Sequence, residues 1–186
     1  MEILNFTTPQ DLRAWLATNC NQSDGIWVRI YKKASGLTSV TYAEALDQAL
    51  CFGWIDGQRK AYDEQSWLQR FTPRRSTSGW SKINTQHAER LIKSGEMTPA
   101  GLKEVNAAKA DGRWAGAYNS FGSATIPEDF LNKLAKNKAA FVFFKTLNKT
   151  NLYSIAYRLQ TAKKPETREK RIRAIIGKLS RGEKFH

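Results

Sequence analysis

The sequence predicts an α+β protein: a small, largely antiparallel three-stranded sheet backed by helices, followed by an all-helical basic C-terminal region. Three observations predict it. Helix-opening signals recur at Thr8-Pro9, Thr41, Ser78 and Thr98-Pro99, each ahead of apolar residues at helical spacing. Between them lie three alternating runs, Ile26–Lys33, Trp54–Tyr62 and Ser66–Thr72, at the two-residue period of strands. From Ile126 onward only helical periods remain. Runs of strands mixed with helices in this order suggest segregated α+β layers.

Thr8, Pro9 and Asp11 supply an N-cap, a first-turn proline and an acidic third position. Leu12, Trp15 and Leu16 then mark one buried helical face. Asn19–Gly25 is a polar turn. The first strand puts Ile26, Val28 and Ile30 on one side and Trp27, Arg29 and Tyr31 on the other. Thr41 and Glu44 form a capping box, and Gly53 ends the helix it opens. Asp63-Glu64-Gln65 joins the other two strands as a hairpin, with Trp54, Asp56, Gln58 and Lys60 expected on one face. Ser78 is expected to cap a helix to Lys93 that stacks Trp80, Ile83, His87 and Leu91. Another helix follows Thr98-Pro99 and stops at Gly112. Arg113–Thr125 reads as an aromatic, glycine-containing linker packed on the main body. Helices are then expected at Pro127–Lys136, Lys138–Leu147, Asn151–Gln160 and Pro165–Leu179. The domain reading is 1–125 for the α+β part and 126–186 for the helical part.

Composition bounds the function. The 186 residues are 41% hydrophobic and 25% charged, which suits a folded soluble chain. No run is long enough to span a membrane. The start, Met1 to Phe6, lacks the pattern of a secretory signal, so the expected compartment is the cytoplasm, where Cys20 and Cys51 stay unpaired. Residues 126–186 carry +10 of the formal +13 charge. Such asymmetry attracts polyanions, unless it is only a solvated basic surface. In the last helix Ile172, Ile175, Ile176 and Leu179 form the docking stripe. Lys170, Arg171, Arg173, Lys178 and Arg181 fan across the other side as candidate polyanion contacts. Arg168 falls on the apolar side. There its stem either covers apolar surface while the guanidinium reaches water or pairs with a carboxylate, or the side chain points into a shared groove.

No constellation of catalytic or metal-binding type emerges. Two histidines, His87 and His186, and two isolated cysteines give no ligand spacing. Cys51 has only His87 as an internal base and reads as a small buried residue. Phosphate loops and dinucleotide fingerprints are absent, so no cofactor is expected. What remains is an aromatic-basic segment. Trp54, Asp56, Arg70, Arg74, Arg75, Trp80 and Asn84 are candidate ligand-binding residues, because arginine pairs beside a tryptophan wall suit a carboxylate or phosphate. The other reading is a polar core closed by an Asp56–arginine bridge with Trp80 packed over it.

The same residues carry a family resemblance. Phe52-Gly53-Trp54-Ile55-Asp56-Gly57, Arg70 to Arg75, and Ser78-Gly79-Trp80-Ser81 with Asn84 come first. Asp111-Gly112-Arg113-Trp114 with Ala117-Tyr118 follows, and then Ala162 to Arg168 with Arg171-Ile172. Together they resemble the YdeI/OmpD-associated, bacteriocin-protection family. The resemblance implies a role in tolerance of bacteriocins or cationic peptides and brings no catalytic residues. Its name evokes an outer-membrane porin, but an indirect cytoplasmic stress role fits a chain without an export segment better.

Three functions stay open. One is a non-enzymatic stress or bacteriocin-protection protein with a site for an anionic small molecule or acidic partner. The second binds nucleic acid through the basic C-terminal helices. The third is an enzyme on a small anionic substrate, with Asp56 as base and Arg74 as anion clamp. Oligomeric state is not readable from the sequence.

Overall fold

The computed structural model describes residues 1–119 and 125–185. The chain divides into two units: residues 1–80 with 84–115, and residues 81–83 with 116–186.

The first unit is built on a four-stranded mixed sheet in the order β1-β2-β4-β3. Strand β1 is Ile3–Asn5, β2 Ile26–Tyr31, β3 Trp54–Ala61 and β4 Ser66–Pro73. Helices α1 (Pro9–Asn19), α2 (Tyr42–Cys51), α3 (Lys82–Lys93) and α4 (Pro99–Ala110) complete the N-terminal part. The sequence reading counts three strands, and the fourth is β1. Three residues are too few to show an alternation, and β1 pairs in parallel with β2, Ile3 opposite Trp27, a contact no local pattern announces. The remaining pairs, β2 with β4 and β4 with β3, are antiparallel as expected.

The capping boxes at Thr8–Asp11 and Thr41–Glu44 are both closed reciprocally by side chain and backbone. On the helix side of the sheet Ile26, Val28 and Ile30 meet Phe71, Gln69 and Trp67. Leu12, Leu16, Leu46, Ala49 and Leu50 are buried with them. Gly53 adopts φ +75°, the left-handed conformation that lets α2 turn straight into β3.

Two local expectations are corrected. A bulge interrupts β3 between Asp56, opposite Phe71, and Arg59, opposite Gln69. The extra residue reverses the faces beyond it, so Arg59 and Ala61, not Gln58 and Lys60, continue the side of Trp54 and Asp56. The buried Gln69 amide donates to the Gly57 carbonyl at 3.0 Å, satisfying an acceptor at the bulge. Helix α3 starts at Lys82, four residues after Ser78. The Ser78 hydroxyl accepts from the Arg75 N–H at 3.1 Å and so closes a turn rather than capping a helix. The buried face of α3 is therefore Asn84, Ala88 and Leu91, while Trp80 precedes the helix and Ile83 is exposed.

Among its described residues the second unit is helical, with an isolated parallel bridge between Ser81 and Tyr118. Its helices are α5 (Glu128–Leu134), α6 (Lys138–Phe144), α7 (Lys149–Gln160) and α8 (Pro165–Ser180). Phe130, Leu134, Ile155, Leu159, Ile172, Ile175 and Leu179 form its core; the last three belong to the expected α8 stripe, whose fourth member, Ile176, is only partly buried. Part of the expected linker, Phe121 and Gly122 included, lies outside the described residues.

Candidate functional site

In the first unit, the end of β4 and the loop after it bring Arg70, Arg74 and Arg75 onto one groove of about 600 Å³. Ile55, Gly57, Thr72, Ser78 and the carboxylate-bearing Asp24 also line it. Arg70 stands opposite Trp27 on the sheet face away from the helices. Its Nε is shielded from solvent and has no hydrogen-bond partner among the described residues. Arg75 is exposed and makes no ion pair there either.

Arg74 is a different kind of residue. It is 8% exposed, its guanidinium carbon lies 3.6 Å from the centre of the Trp80 ring, and its Nη1 donates to the Gly79 carbonyl at 3.2 Å. Behind Trp80 lies Trp114, with ring centres 4.8 Å apart, and Lys109 sits 5.2 Å from the Trp114 ring. Two tilted indoles in contact are thus flanked by a cation at either end. Stacked guanidiniums and indoles attract through the ring quadrupole, most strongly when desolvated. Arg113 adds a second clamp: its Nη1 donates to the Ser78 carbonyl at 2.9 Å while its Nε pairs with Asp111 at 2.6 Å. Two buried arginines therefore hold two successive carbonyls of the loop that carries Ser78.

The other predicted residues do not reach this groove. Trp54 is 1% exposed, and its Nε1 donates to the Cys20 carbonyl at 3.1 Å while Trp15 packs edge-on against it. Asp56 accepts a hydrogen bond from the Tyr42 hydroxyl at 2.9 Å, in place of the arginine bridge considered above. Burial, and then the neighbouring Asp56 carboxylate, push the Tyr42 phenol well above its ordinary range. Asn84 lies buried in α3. Arg113 and Trp114 appear in the sequence as a motif, yet only the tertiary stack with Trp80 marks them as supports of the groove loop.

His87 and Cys51 do not form a catalytic pair. His87 Nδ1 lies 2.8 Å from Asp47, which also takes Arg90 at 2.6 Å. Cys51 is buried and free, and burial raises its thiol above the usual range. Among the described residues no group of histidine, cysteine and carboxylate side chains could hold a metal ion.

In the second unit, α7 and α8 enclose a groove of about 600 Å³ lined by Arg158, Arg171, Arg173, Lys178, Arg181 and Phe185. Four of the five predicted polyanion contacts meet here, and Lys170 does not line it. The sequence reading misses Arg158 and Phe185. Arg158 lies thirteen positions before Arg171, and only the packing of the two helices unites them. The Phe185 ring is flanked by Arg158 at 5.2 Å and Lys178 at 5.1 Å. Arg171 donates to the Arg158 carbonyl at 2.6 Å and to the Thr161 hydroxyl at 3.0 Å, tying α8 to the end of α7. Arg181 pairs with Glu183 at 2.7 Å, and Arg173 reaches Glu169 only at 3.4 Å. Arg168 takes the supporting role: it grips Asp129 with two bonds of 2.8 and 2.7 Å and donates to the Leu159 carbonyl.

The residues that built these units also place the chain among known families. A family model described as "Domain of unknown function (DUF8412)" matches residues 4–104, and the chain belongs to that family. A second, described as "Bacteriocin-protection, YdeI or OmpD-Associated", matches residues 123–182, so the helical part is a domain of that family. The motif Ala162–Arg168 falls inside this second match. The motifs from Phe52 to Asn84 fall in the first, and Asp111–Tyr118 in neither. No curated protein and no solved structure matches the chain. Among the described residues no helix is long and apolar enough to cross a membrane.

Proposed function

We propose that this chain is a non-enzymatic, cytoplasmic binding protein of the bacteriocin-protection type, and that its first unit takes a small anionic ligand in the Arg70–Arg75 groove. The observation that carries this reading is the pair Arg70 and Arg75. Both line one 600 Å³ groove without a salt-bridge partner among the described residues, where the Arg70 Nε is also buried with its hydrogen unused. A buried donor left without an acceptor costs free energy that an anion's oxygens would return. Asp24 on the rim works against a highly charged ligand, which favours a monoanion or a partly protonated phosphate. Asp56, the one residue considered as a base, is engaged by the Tyr42 hydroxyl on the other side of the sheet, which favours binding over turnover.

The test is thermal shift with inorganic phosphate, acetate and citrate. A ligand at 100 times its dissociation constant adds about 2.7 kcal/mol of stability. The expected result is a shift that disappears in Arg70→Gln/Arg75→Gln while the unliganded melting temperature stays unchanged. A shift that survives the double substitution would place the anion elsewhere and sink this reading.

The basic groove of the second unit favours a further reading, binding of polyanions through Arg158, Arg171, Arg173 and Lys178. A charge of +13 also argues against sequestering cationic peptides, because like charges repel, and for engaging anionic targets. Retention on heparin that weakens on Arg158→Gln/Lys178→Gln is the expected result, and equal retention by the variant counts against it.

A further inference from the structure

From the cavities of the second unit we infer a specific class of polyanion: single-stranded nucleic acid, with phosphates along α7 and α8 and a base stacked on Tyr157. The inference rests on the polyanion reading just given and extends it. A second cavity of about 360 Å³ is lined by Tyr153, Ser154, Tyr157, Thr161, Arg158 and Arg171. It shares Arg158 and Arg171 with the 600 Å³ groove, so the tyrosines and the cations border one another. Tyr157 is 39% exposed although its ring centre lies 5.0 Å from Tyr118, edge to face, and 6.0 Å from Tyr153. Its position is thereby fixed by two other rings while part of its own surface faces solvent.

The cations are arranged to match. Arg158 and Lys178 form no salt bridge among the described residues, Lys178 acting on Glu183 only at longer range, and each is braced against the Phe185 ring. Arg171 is steered by a carbonyl and a hydroxyl, neither of which cancels its charge. A row of positioned cations next to a partly exposed aromatic ring is the recurrent arrangement for single strands. Their phosphates take the charge and their unpaired bases stack without regard to sequence. A duplex offers the phosphates but keeps its base faces stacked inside, so it cannot use Tyr157. An acidic protein surface would likewise leave the ring unused.

Fluorescence polarisation with the full chain tests this, using labelled twelve-residue oligothymidylate, an abasic strand of the same length and a twelve-base-pair duplex. Tight binding of oligothymidylate is expected, weakening log-linearly with salt at a slope of about −2 if three phosphates are engaged. The abasic strand and the duplex should bind roughly tenfold or more weakly, the scale of one stacking contact. Tyr157→Ala should bring oligothymidylate down to the abasic level, and Tyr157→Phe should restore it. Equal affinity for all three probes, together with heparin retention, would overturn the single-strand inference and leave the polyanion reading standing. Loss of both heparin and oligothymidylate binding would remove both.

Discussion

The Arg74 guanidinium lies flat enough on Trp80 to bring its carbon within 3.6 Å of the ring centre, and both side chains are buried. This contact is the hinge between core and groove in the first unit. Its ring side belongs to the stack with Trp114, and its other side lines the cavity. A desolvated pair of this kind is worth about 2 kcal/mol or more, whereas an exposed one gives only about 0.5–1.

Trp80→Ala should therefore cost about 3–5 kcal/mol, as large aromatic deletions in a core do. Arg74→Ala should cost about 2 kcal/mol through the lost stack and the released Gly79 carbonyl. Arg74→Lys should recover only part of this, because an ammonium lacks the planar surface. Urea unfolding followed by tryptophan fluorescence checks all three, and an Arg74→Ala protein as stable as the native one would contradict the assignment.

At Gly101, α4 passes close against the carbonyls that end α2. A Cβ there would press on the Met97 sulfur and the Cys51 carbonyl, and would lie 2.7 Å from the Leu50 carbonyl. Two of those three neighbours are backbone, which cannot turn aside. Gly101→Ala should destabilise the first unit by about 1–3 kcal/mol, the range for overpacking, despite alanine's better helix propensity. Gly112, with no atom near its missing Cβ but with φ +78°, should respond for a different reason, backbone strain alone.

Acid should loosen the second unit through Asp129. The hydrogen bonds from Arg168 hold its carboxyl below the ordinary range, against an opposing effect of burial. A depressed folded value means the contribution is complete above the unfolded carboxylate range and is lost as pH falls through the folded one. Asp129→Asn should thus be less stable than the native chain at pH 7, and the two should converge as pH drops below about 4. Asp129 is 48% exposed, so solvent screening limits the difference to about 1 kcal/mol or less. Thermal melts at pH 7 and pH 3 on both proteins measure it. A difference independent of pH would show that Asn destabilises by some other route.

Native-state alkylation should separate the cysteines. Cys51 is buried with its thiol held up by burial, and the thiolate is the reactive form. Cys20 is half-buried. Iodoacetamide followed by mass analysis should label Cys20 first and reach Cys51 only in denaturant. Equal rates in the native protein would contradict the burial of Cys51.

Much of the fold was legible because its signals are local. Thr8 and Thr41 announce their helices within four residues, and the isoleucines of α8 repeat at the period of the face they bury. Candidate residues were legible by type more than by place. Arg70, Arg74 and Arg75 do share a groove, but Trp54 and Asp56, their partners in the motif, turn to the other side of the sheet. Side chains one residue apart along a strand point opposite ways, and a bulge resets that count.

By itself the sequence determined the α+β class, the helix and hairpin order, the basic C-terminal region and, for that helical region, the bacteriocin-protection family. Those follow from caps, periods and charge, all of which act over a few residues. Only the tertiary structure decided that β1 joins the sheet and that α3 begins after Trp80. It also set Arg113 and Trp114 behind the groove loop, and Arg158 and Tyr157 beside the cations of α8. These depend on contacts between segments tens of residues apart, where packing selects the neighbour and no local period records it.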